Sequence, residues 1–261
     1  MRREQNPTEL MRVFYVIFSK ELRSFFSSPL AYVVIGLFGL LNAWLFVSIV
    51  TVMSMSVTPR SLVYNLFDSG WFWMGFCFLF PVLTMRLFAE EQKMGTLETL
   101  LTAPVRTIQV VMAKYFATVT VYLAALVPVF LLFLLFRGVT GQAEAFHGGA
   151  LFGAAVGLIL IGMANIALGV LCSAMTSNQI IAAMVCFAVI MLHYFLGFFQ
   201  YFGGMPGSLM TAGLGYVSNV DHMRSFSEGL IDSRPFIYYL SFTALLLAMT
   251  HHVLEFRRWR V

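Results

Sequence analysis

Charged residues are scarce in this chain of 261 amino acids, and long apolar stretches occupy most of it. Asp, Glu, Lys and Arg together make up 11% of the residues, and 60% of the residues are hydrophobic. A soluble domain has about 25% charged and about 45–50% apolar residues. The composition therefore excludes a water-soluble globular protein and predicts an integral membrane protein.

Motifs for catalysis and cofactor binding are also missing. The chain has no G-x-x-x-x-G-K-[ST] sequence, so it carries no signal of an ATPase site of its own. The sequence also shows no Ser/His/Asp or Cys/His pattern that would indicate a catalytic triad or dyad. The three cysteines, Cys77, Cys172 and Cys186, fall in apolar segments without C-x-x-C spacing, which indicates packing residues. We predict no enzyme activity, no metal site and no cofactor in this chain.

Six apolar segments are long enough to cross a membrane, since a spanning helix needs roughly 20 apolar residues. Backbone groups in lipid must be satisfied within the segment, which favours helices over open strands. The sequence therefore predicts an all-α polytopic membrane protein. Its transmembrane domain covers residues 30–254, followed by a tail at 255–261, and its spans are 30–54, 71–88, 110–136, 149–172, 179–202 and 235–254.

The distribution of lysine and arginine predicts the orientation. If the N-terminus lies inside, the outer loops contain only Arg60, Arg137, Arg224 and Arg234, and every other Lys and Arg falls on the inner side. Inner loops of membrane proteins are enriched in these residues. We therefore expect both termini in the cytoplasm and a multi-pass protein of the bacterial inner membrane.

The N-terminal segment, residues 1–29, has apolar residues at helical spacing. Val13, Phe14, Ile17 and Phe18 form a stripe, and Lys20 lies largely on another face. This pattern predicts an amphipathic helix in the membrane interface ahead of the first span. This helix has two possible roles, a general membrane anchor or a specific docking element, and the sequence does not decide between them.

Two further features concern the outer half of the chain. Gly149, Gly153 and Gly157 recur every four residues, which predicts close helix packing within the chain or, second, at a subunit interface. The outer loop 203–234 contains a candidate short helix that starts at Ser218 or Asn219 and ends before Gly229. We expect Met223 and Phe226 of that helix to face the membrane.

Ionisable groups are nearly absent from the middle of the spans. His193 is the exception, and a histidine at that depth is a candidate for transport. Carriers driven by ion gradients usually place carboxylates or broken helices at mid-membrane. Their absence from the sequence argues against such a carrier and favours an energy source outside the chain.

A polar island interrupts the apolar pattern after the second span, at residues 86–106. Glu90 and Glu91 extend the span, and Gly95 is expected to break the helix. Thr96 is expected to cap a new short helix over 97–102, with Glu98 in its first turn and a proline at position 104 after its end. A short solvated hairpin needs fewer polar residues, so the island favours contact with a partner.

The island, Arg86-x-x-Ala89-Glu90-Glu91-x-x-x-Gly95-Thr96-Leu97-Glu98-x-Leu100-Leu101-x-x-Pro104, resembles the inner loop of type-2 ABC transporter permeases, most closely the gliding-motility (GldF-like) branch. The opening Lys20-Glu21-Leu22-x-x-Phe25-Phe26-x-Ser28-Pro29 resembles the start of the same proteins. The resemblance implies an exporter-type architecture with an N-terminal elbow helix and a coupling loop at 89–107. By this resemblance, the residues expected to contact a separate ATPase are Glu90, Glu91, Gly95, Thr96, Leu97, Glu98 and Pro104.

Three functional hypotheses follow. The first is the permease subunit of an ATP-driven ABC transporter, paired with a second permease, with ATP and Mg on the partner ATPase. The resemblance also implies a smaller partner contact at residues 173–178. The second is a non-transporting membrane scaffold or anchor of a surface or motility machine. The third is a gradient-driven carrier that depends on His193.

Overall fold

The computed structural model describes residues 7–55, 60–102, 105–141, 148–202, 213 and 215–258. Within these residues the regular structure is helical throughout, without strands. The helices are α1 Pro7–Ser27, α2 Pro29–Met55, α3 Leu62–Asp68, α4 Gly70–Thr84, α5 Ala89–Lys93, α6 Thr96–Thr102, α7 Thr107–Thr140, α8 Gly148–Met175, α9 Gln179–Phe202, α10 Asn219–Ser227 and α11 Ser233–Arg258.

Six candidate membrane spans occur among the described residues, which confirms the predicted fold class. The second span contains α4, a turn and α5, and its first helix ends at Thr84, a few residues before the predicted end at position 88. The six are Pro29–Met55, Gly70–Lys93, Thr107–Thr140, Gly148–Met175, Gln179–Leu196 and Ser233–Arg258.

Helix α8 is the central span of the fold. In the most apolar 18-residue stretch of α8, 78% of the residues are buried, against 22% in the corresponding stretch of α2 and 17% in that of α9. Two glycines allow the close approach that this burial requires. A Cβ at Gly162 would lie less than 3.0 Å from the Tyr122 ring of α7, and a Cβ at Gly169 would lie as close to the Thr84 hydroxyl of α4. Small residues at such crossings bring helix backbones together in lipid.

The amphipathic N-terminal helix α1 packs against the beginning of α7. Ile17, Leu22 and Phe25 contact the main apolar core. The Phe14 ring lies edge-on to Phe116 of α7, with 6.4 Å between the ring centroids. Only one residue, at position 28, separates α1 from α2, so the chain turns directly from the amphipathic helix into the first span.

The short helix α10 packs on α8 in the loop before the last span. The Ser218 hydroxyl caps its start by accepting a hydrogen bond from the Asp221 amide. The expectation that Met223 and Phe226 face the membrane is wrong, because both side chains are fully buried. The glycines of α8 create the space for this helix: a Cβ at Gly153 would lie less than 3.0 Å from the Phe226 carbonyl oxygen.

Candidate functional site

The α4–α7 loop (residues 85–106) forms a broken helix. A turn over residues 85–88 connects α4 to α5, and Gly95 adopts a φ of 71° between α5 and α6. This left-handed conformation suits glycine, which has no Cβ to clash. Thr96 is the first residue of α6, and its hydroxyl donates to the Glu91 carbonyl oxygen at 3.3 Å in place of the predicted cap. The chain therefore changes direction at Gly95.

A buried lysine holds the loop to two other helices. The Lys114 side chain of α7 is 1% exposed, and its ammonium donates to Glu21 of α1 at 2.9 Å and to Glu91 of α5 at 3.0 Å. Its third bond goes to the Leu87 carbonyl oxygen at 2.8 Å, so the three ammonium hydrogens have three acceptors. We call Lys114, Glu21 and Glu91 the buried ion cluster. It connects α1, α5 and α7 through one cation.

The two carboxylates of α5 have different surroundings. The Glu91 side chain is 14% exposed and belongs to the buried ion cluster. Glu90 is 33% exposed and accepts a hydrogen bond from the Arg86 Nε at 2.9 Å. Arg86 also donates to the Ser28 hydroxyl at 3.1 Å, at the junction of α1 and α2. Of the predicted pair, Glu91 therefore makes its contacts within the chain, and Glu90 is the more accessible.

The end of α8 holds the other side of the loop. The buried Ser173 hydroxyl accepts from the amides of residues 88 and 89 at 3.0 and 3.1 Å and donates to the Met85 carbonyl oxygen at 3.1 Å. The Gln92 amide donates to the Ala174 carbonyl oxygen at 2.9 Å and accepts from Arg257 of α11 at 2.7 Å. The loop is thus attached to α1, α7, α8 and α11.

Ser173 supports a direct prediction. In a Ser173→Ala variant, the amides of Phe88 and Ala89 lose their acceptor, and each buried unsatisfied group costs about 1–3 kcal/mol. We expect a lower unfolding temperature in detergent and faster hydrogen exchange of these two amides. Ser177→Ala is the matched control, since Ser177 is exposed just beyond α8. Equal stability of the two variants would contradict the assigned bonds.

Side chains that can meet a partner occupy one stretch of the loop. Lys93, Met94, Thr96 and Glu98 are exposed, and Met94 is 61% exposed although it is apolar. Leu97 is buried within the chain, although the resemblance assigns it to the partner contact. We call residues 93–99, without the buried leucine, the docking surface, after the partner contact that the sequence predicts there. The side chains at positions 100 and 101, and the whole of the proline at 104, lie outside the described residues.

The residues that hold this surface in place carry little signal in the sequence. The sequence identifies Lys114 only as a cation at the inner edge of a span, and it groups Ser173 with a second partner contact, although this serine is buried. Glu21 offers some signal, because it is a carboxylate on a largely apolar helix, and a buried carboxylate requires a cation. Gln92 and Arg257 carry no signal in the sequence that would predict their contact.

A polar network joins α10 to the last span at the other end of the fold. Tyr239 of α11 donates to the Asn219 side-chain oxygen at 2.8 Å, so the His222 Nδ1, 2.9 Å away, must donate to the tyrosine oxygen. His193 of α9 lies 3.0 Å from the Val217 carbonyl oxygen. These bonds give His193 a structural contact between α9 and the start of α10.

The pKa of His222 gives a prediction about pH. Burial lowers this pKa below its ordinary value, and His193 lowers it further, while Asp221 and Asp232 oppose the shift. The folded state therefore binds the proton less readily than the unfolded state. The stabilisation is complete above about pH 6.5, the unfolded value, and is lost as the pH falls toward the folded pKa. We expect lower protection of the α10 amides, relative to their intrinsic exchange rate at each pH, at about pH 5.5 than at about pH 7.5.

A His222→Asn variant tests this assignment, because it removes the titrating ring and keeps a hydrogen-bond donor. We expect the protection of the α10 amides in this variant, relative to the intrinsic exchange rate, to depend less on pH. His252→Gln, at an exposed position of α11, serves as the control. An unchanged pH dependence in His222→Asn would assign the effect to another group.

A group of potential metal ligands lies near the end of α11. The ligand atoms of His251, His252 and Glu255 lie within 4.8 Å of one another, and the His251 Nδ1 is 3.8 Å from the Glu255 carboxylate. The sequence gives no particular signal for this group. The spacing of His251 and Glu255 is that of an ordinary pair on one helix face, four residues apart.

Comparison with known proteins identifies the family. A search of curated proteins found no match to the chain. The sequence profile described as "ABC-2 family transporter protein" matches residues 56–232, which include α3 to α10 and the α4–α7 loop. This match covers more than half of the chain, and the six apolar helices agree with it. The protein therefore belongs to the ABC-2 transporter family, as a multi-pass membrane permease rather than the ATPase.

Proposed function

We propose that the protein is the permease subunit of an ATP-driven exporter, and that a separate ATP-binding subunit binds its docking surface. One observation carries this proposal: the α4–α7 loop exposes a short stretch of residues and is itself bonded firmly to the neighbouring helices. Met94 and Glu98 are exposed, whereas Glu91 of the same loop is fixed by the buried Lys114. An exposed apolar residue beside a charged one is the kind of surface that a protein partner covers.

The attachment of the loop explains how work done by a partner would reach the spans. The buried ion cluster connects the loop to α1 and α7, and Ser173 and Gln92 connect it to α8. Packed elements of this kind move as rigid bodies rather than deform continuously. A displacement of α6 by a closing ATPase would therefore shift these helices together.

The remaining features of the proposal follow from the resemblance. ATP and Mg would bind on the partner ATPase, and a second permease, identical or related, would complete the transporter. The little-buried faces of α2 and α9 leave room for such a copy and for lipid. The protein would lie in a bacterial inner membrane with both termini in the cytoplasm. The gliding-motility branch remains a prediction from the sequence motif.

Replacement of Glu98 tests the proposed docking surface. A Glu98→Arg variant inverts an exposed charge without touching the buried ion cluster. We expect a tagged variant to retain several-fold less ATPase subunit after purification from native membranes, because mismatched interface charges repel. Glu228→Arg is the matched control: Glu228 is also exposed, but it lies after α10, near the start of the last span.

ATP hydrolysis by reconstituted components separates the permease from the scaffold hypothesis. Proteoliposomes that contain the permease and its co-purified ATPase should hydrolyse ATP faster than the ATPase alone, and Glu98→Arg should lower this stimulation. Wild-type ATPase binding by Glu98→Arg would move the contact elsewhere. Absence of any associated ATPase would contradict the proposal and favour a scaffold.

A further inference from the structure

A cavity of about 630 Å³ lies beside the buried ion cluster. It is bounded by α1, the first turns of α2, the last turns of α4 and the α4–α7 loop. This volume is in the range of sites that hold small molecules, about 300–1,000 Å³. Met94, Thr96 and Thr99 of the docking surface also line it. The role proposed below for this cavity does not depend on an ATPase partner.

The cavity lies where two of the candidate spans reach one surface of the membrane. Helices α2 and α4 are consecutive spans, so the start of α2 and the end of α4 lie at the same surface of the membrane. Apolar side chains of both helices line the cavity there, among them Leu30 and Val34 from α2 and Val82 and Leu83 from α4. Charged side chains of α1 and of the loop line the rest. An apolar wall beside a polar end matches an amphiphile at the interface.

Cations with unused donors lie at the polar end. The Arg86 guanidinium has five N–H donors, and its side-chain bonds among the described residues are those to Glu90 and Ser28. The Lys20 side chain is 69% exposed, with its ammonium 3.9 Å from Glu91. Both cations line the cavity. A phosphate group accepts hydrogen bonds from arginine and lysine in such positions.

An accessible carboxylate lines the same cavity. The Glu90 side chain is 33% exposed and accepts a hydrogen bond from the Arg86 Nε at one of its two oxygens. The Glu91 Oε2 has no donor among the described residues, but it is buried and out of reach of a group in the cavity. A primary ammonium can donate an N–H to Glu90, whereas a quaternary ammonium has none to give.

We propose that this cavity binds the headgroup of a phosphatidylethanolamine-type phospholipid. Its phosphate contacts Arg86 and Lys20, its primary ammonium donates to Glu90, and its acyl chains lie against Val34 and Val82. The lipid joins α1 to the α4–α7 loop beside the ion cluster. A zwitterion suits the site better than an anion, because the lining contains three cations and three carboxylates: Lys20, Arg86, Lys114, Glu21, Glu90 and Glu91.

Thermal unfolding of the purified, delipidated full-length protein tests the proposal. Mixed micelles carry one added phospholipid with matched acyl chains: phosphatidylethanolamine, phosphatidylcholine or phosphatidylglycerol. We expect the ethanolamine lipid to raise the unfolding temperature most and to remain bound in native mass spectrometry. An equal shift with the choline lipid would overturn the role of the ammonium, and an equal or larger shift with the glycerol lipid would overturn the zwitterion.

Two tryptophan variants of α2 locate the binding site. Val34→Trp fills the apolar wall of the cavity, and Val33→Trp places the same side chain at the adjacent, exposed position outside the cavity. We expect only Val34→Trp to abolish the preference for the ethanolamine lipid. If Val34→Trp does not fold, Glu90→Ala gives the same reading, because it removes the acceptor of the ammonium, and its partly exposed ion pair with Arg86 adds little to stability. Retention of the full preference in the folded cavity variant, or in Glu90→Ala in its place, would place the lipid elsewhere and overturn the proposal.

Discussion

Replacement of Lys114 by methionine is expected to lower the free energy of unfolding by about 3–5 kcal/mol, the usual effect of removing one partner of a buried ion pair. Methionine fills nearly the same space as the lysine stem, so the loss comes from charge. Glu21 and Glu91 would remain largely buried, with like charges and no cation between them. Thermal or chemical unfolding in detergent measures the effect.

The design of the control separates charge from packing. Lys93→Met makes the same chemical change at an exposed position of α5, and we expect it to be close to neutral. A triple variant, Glu21→Gln, Glu91→Gln and Lys114→Met, removes all three charges and should recover part of the lost stability. If Lys114→Met were as stable as Lys93→Met, the buried ion cluster would not hold the loop.

The functional consequence of the same variant depends on the proposed function. Without Lys114, the α4–α7 loop keeps its bonds to α8 through Ser173 and Gln92 but loses the bonds of the buried ion cluster to α1 and α7. We therefore expect Lys114→Met to bind an ATPase through its intact docking surface and yet to stimulate it poorly. Glu98→Arg should show the opposite pattern: it should bind the ATPase poorly, and the loss of stimulation should follow from the loss of binding.

The span positions could be predicted from the sequence because hydropathy alone decides them. A continuous apolar run must be satisfied by its own helix in lipid, whatever its neighbours are. The break at Gly95 and the start of α10 at Ser218 are predictable for a similar reason, since glycine conformation and serine capping are local properties. The family resemblance rests on the same local residues of the loop.

The contacts between distant residues could not be predicted in this way. Lys114 and Glu21 are 93 positions apart, and no local rule pairs them. Met223 and Phe226 are assigned to the membrane from the sequence because apolar side chains suit both lipid and a protein core. Only the packing of α10 against the glycines of α8 decides between the two. The sequence does not reveal the burial of Glu91, because a pair of carboxylates in a loop is usually solvated.

Replacement of a glycine of α8 by alanine is expected to have the second large effect on stability. A Gly153→Ala variant adds a Cβ that would lie less than 3.0 Å from the Phe226 carbonyl oxygen, and backbone cannot rotate away as a flexible side chain can. Gly149→Ala lies one turn earlier on the same stripe, where an added Cβ meets nothing within 4 Å. We expect Gly153→Ala to lose about 1–3 kcal/mol, as overpacked cores do, and Gly149→Ala to be neutral or slightly stabilising.

The helix in which hydrogen exchange becomes faster distinguishes this effect from general destabilisation of α8. Hydrogen exchange should show faster exchange in α10 of Gly153→Ala, with α8 itself and the α4–α7 loop unchanged. The ion pair between Arg224 of α10 and Asp68 of α3, 2.6 Å long, should weaken with it, since α10 must shift as a unit. Equal exchange of α10 in the two alanine variants would show that the stripe packs against something other than Phe226. If α10 takes part in transport, Gly153→Ala should also reduce ATP-driven activity without reducing ATPase binding, because the docking surface lies at the opposite end of the spans.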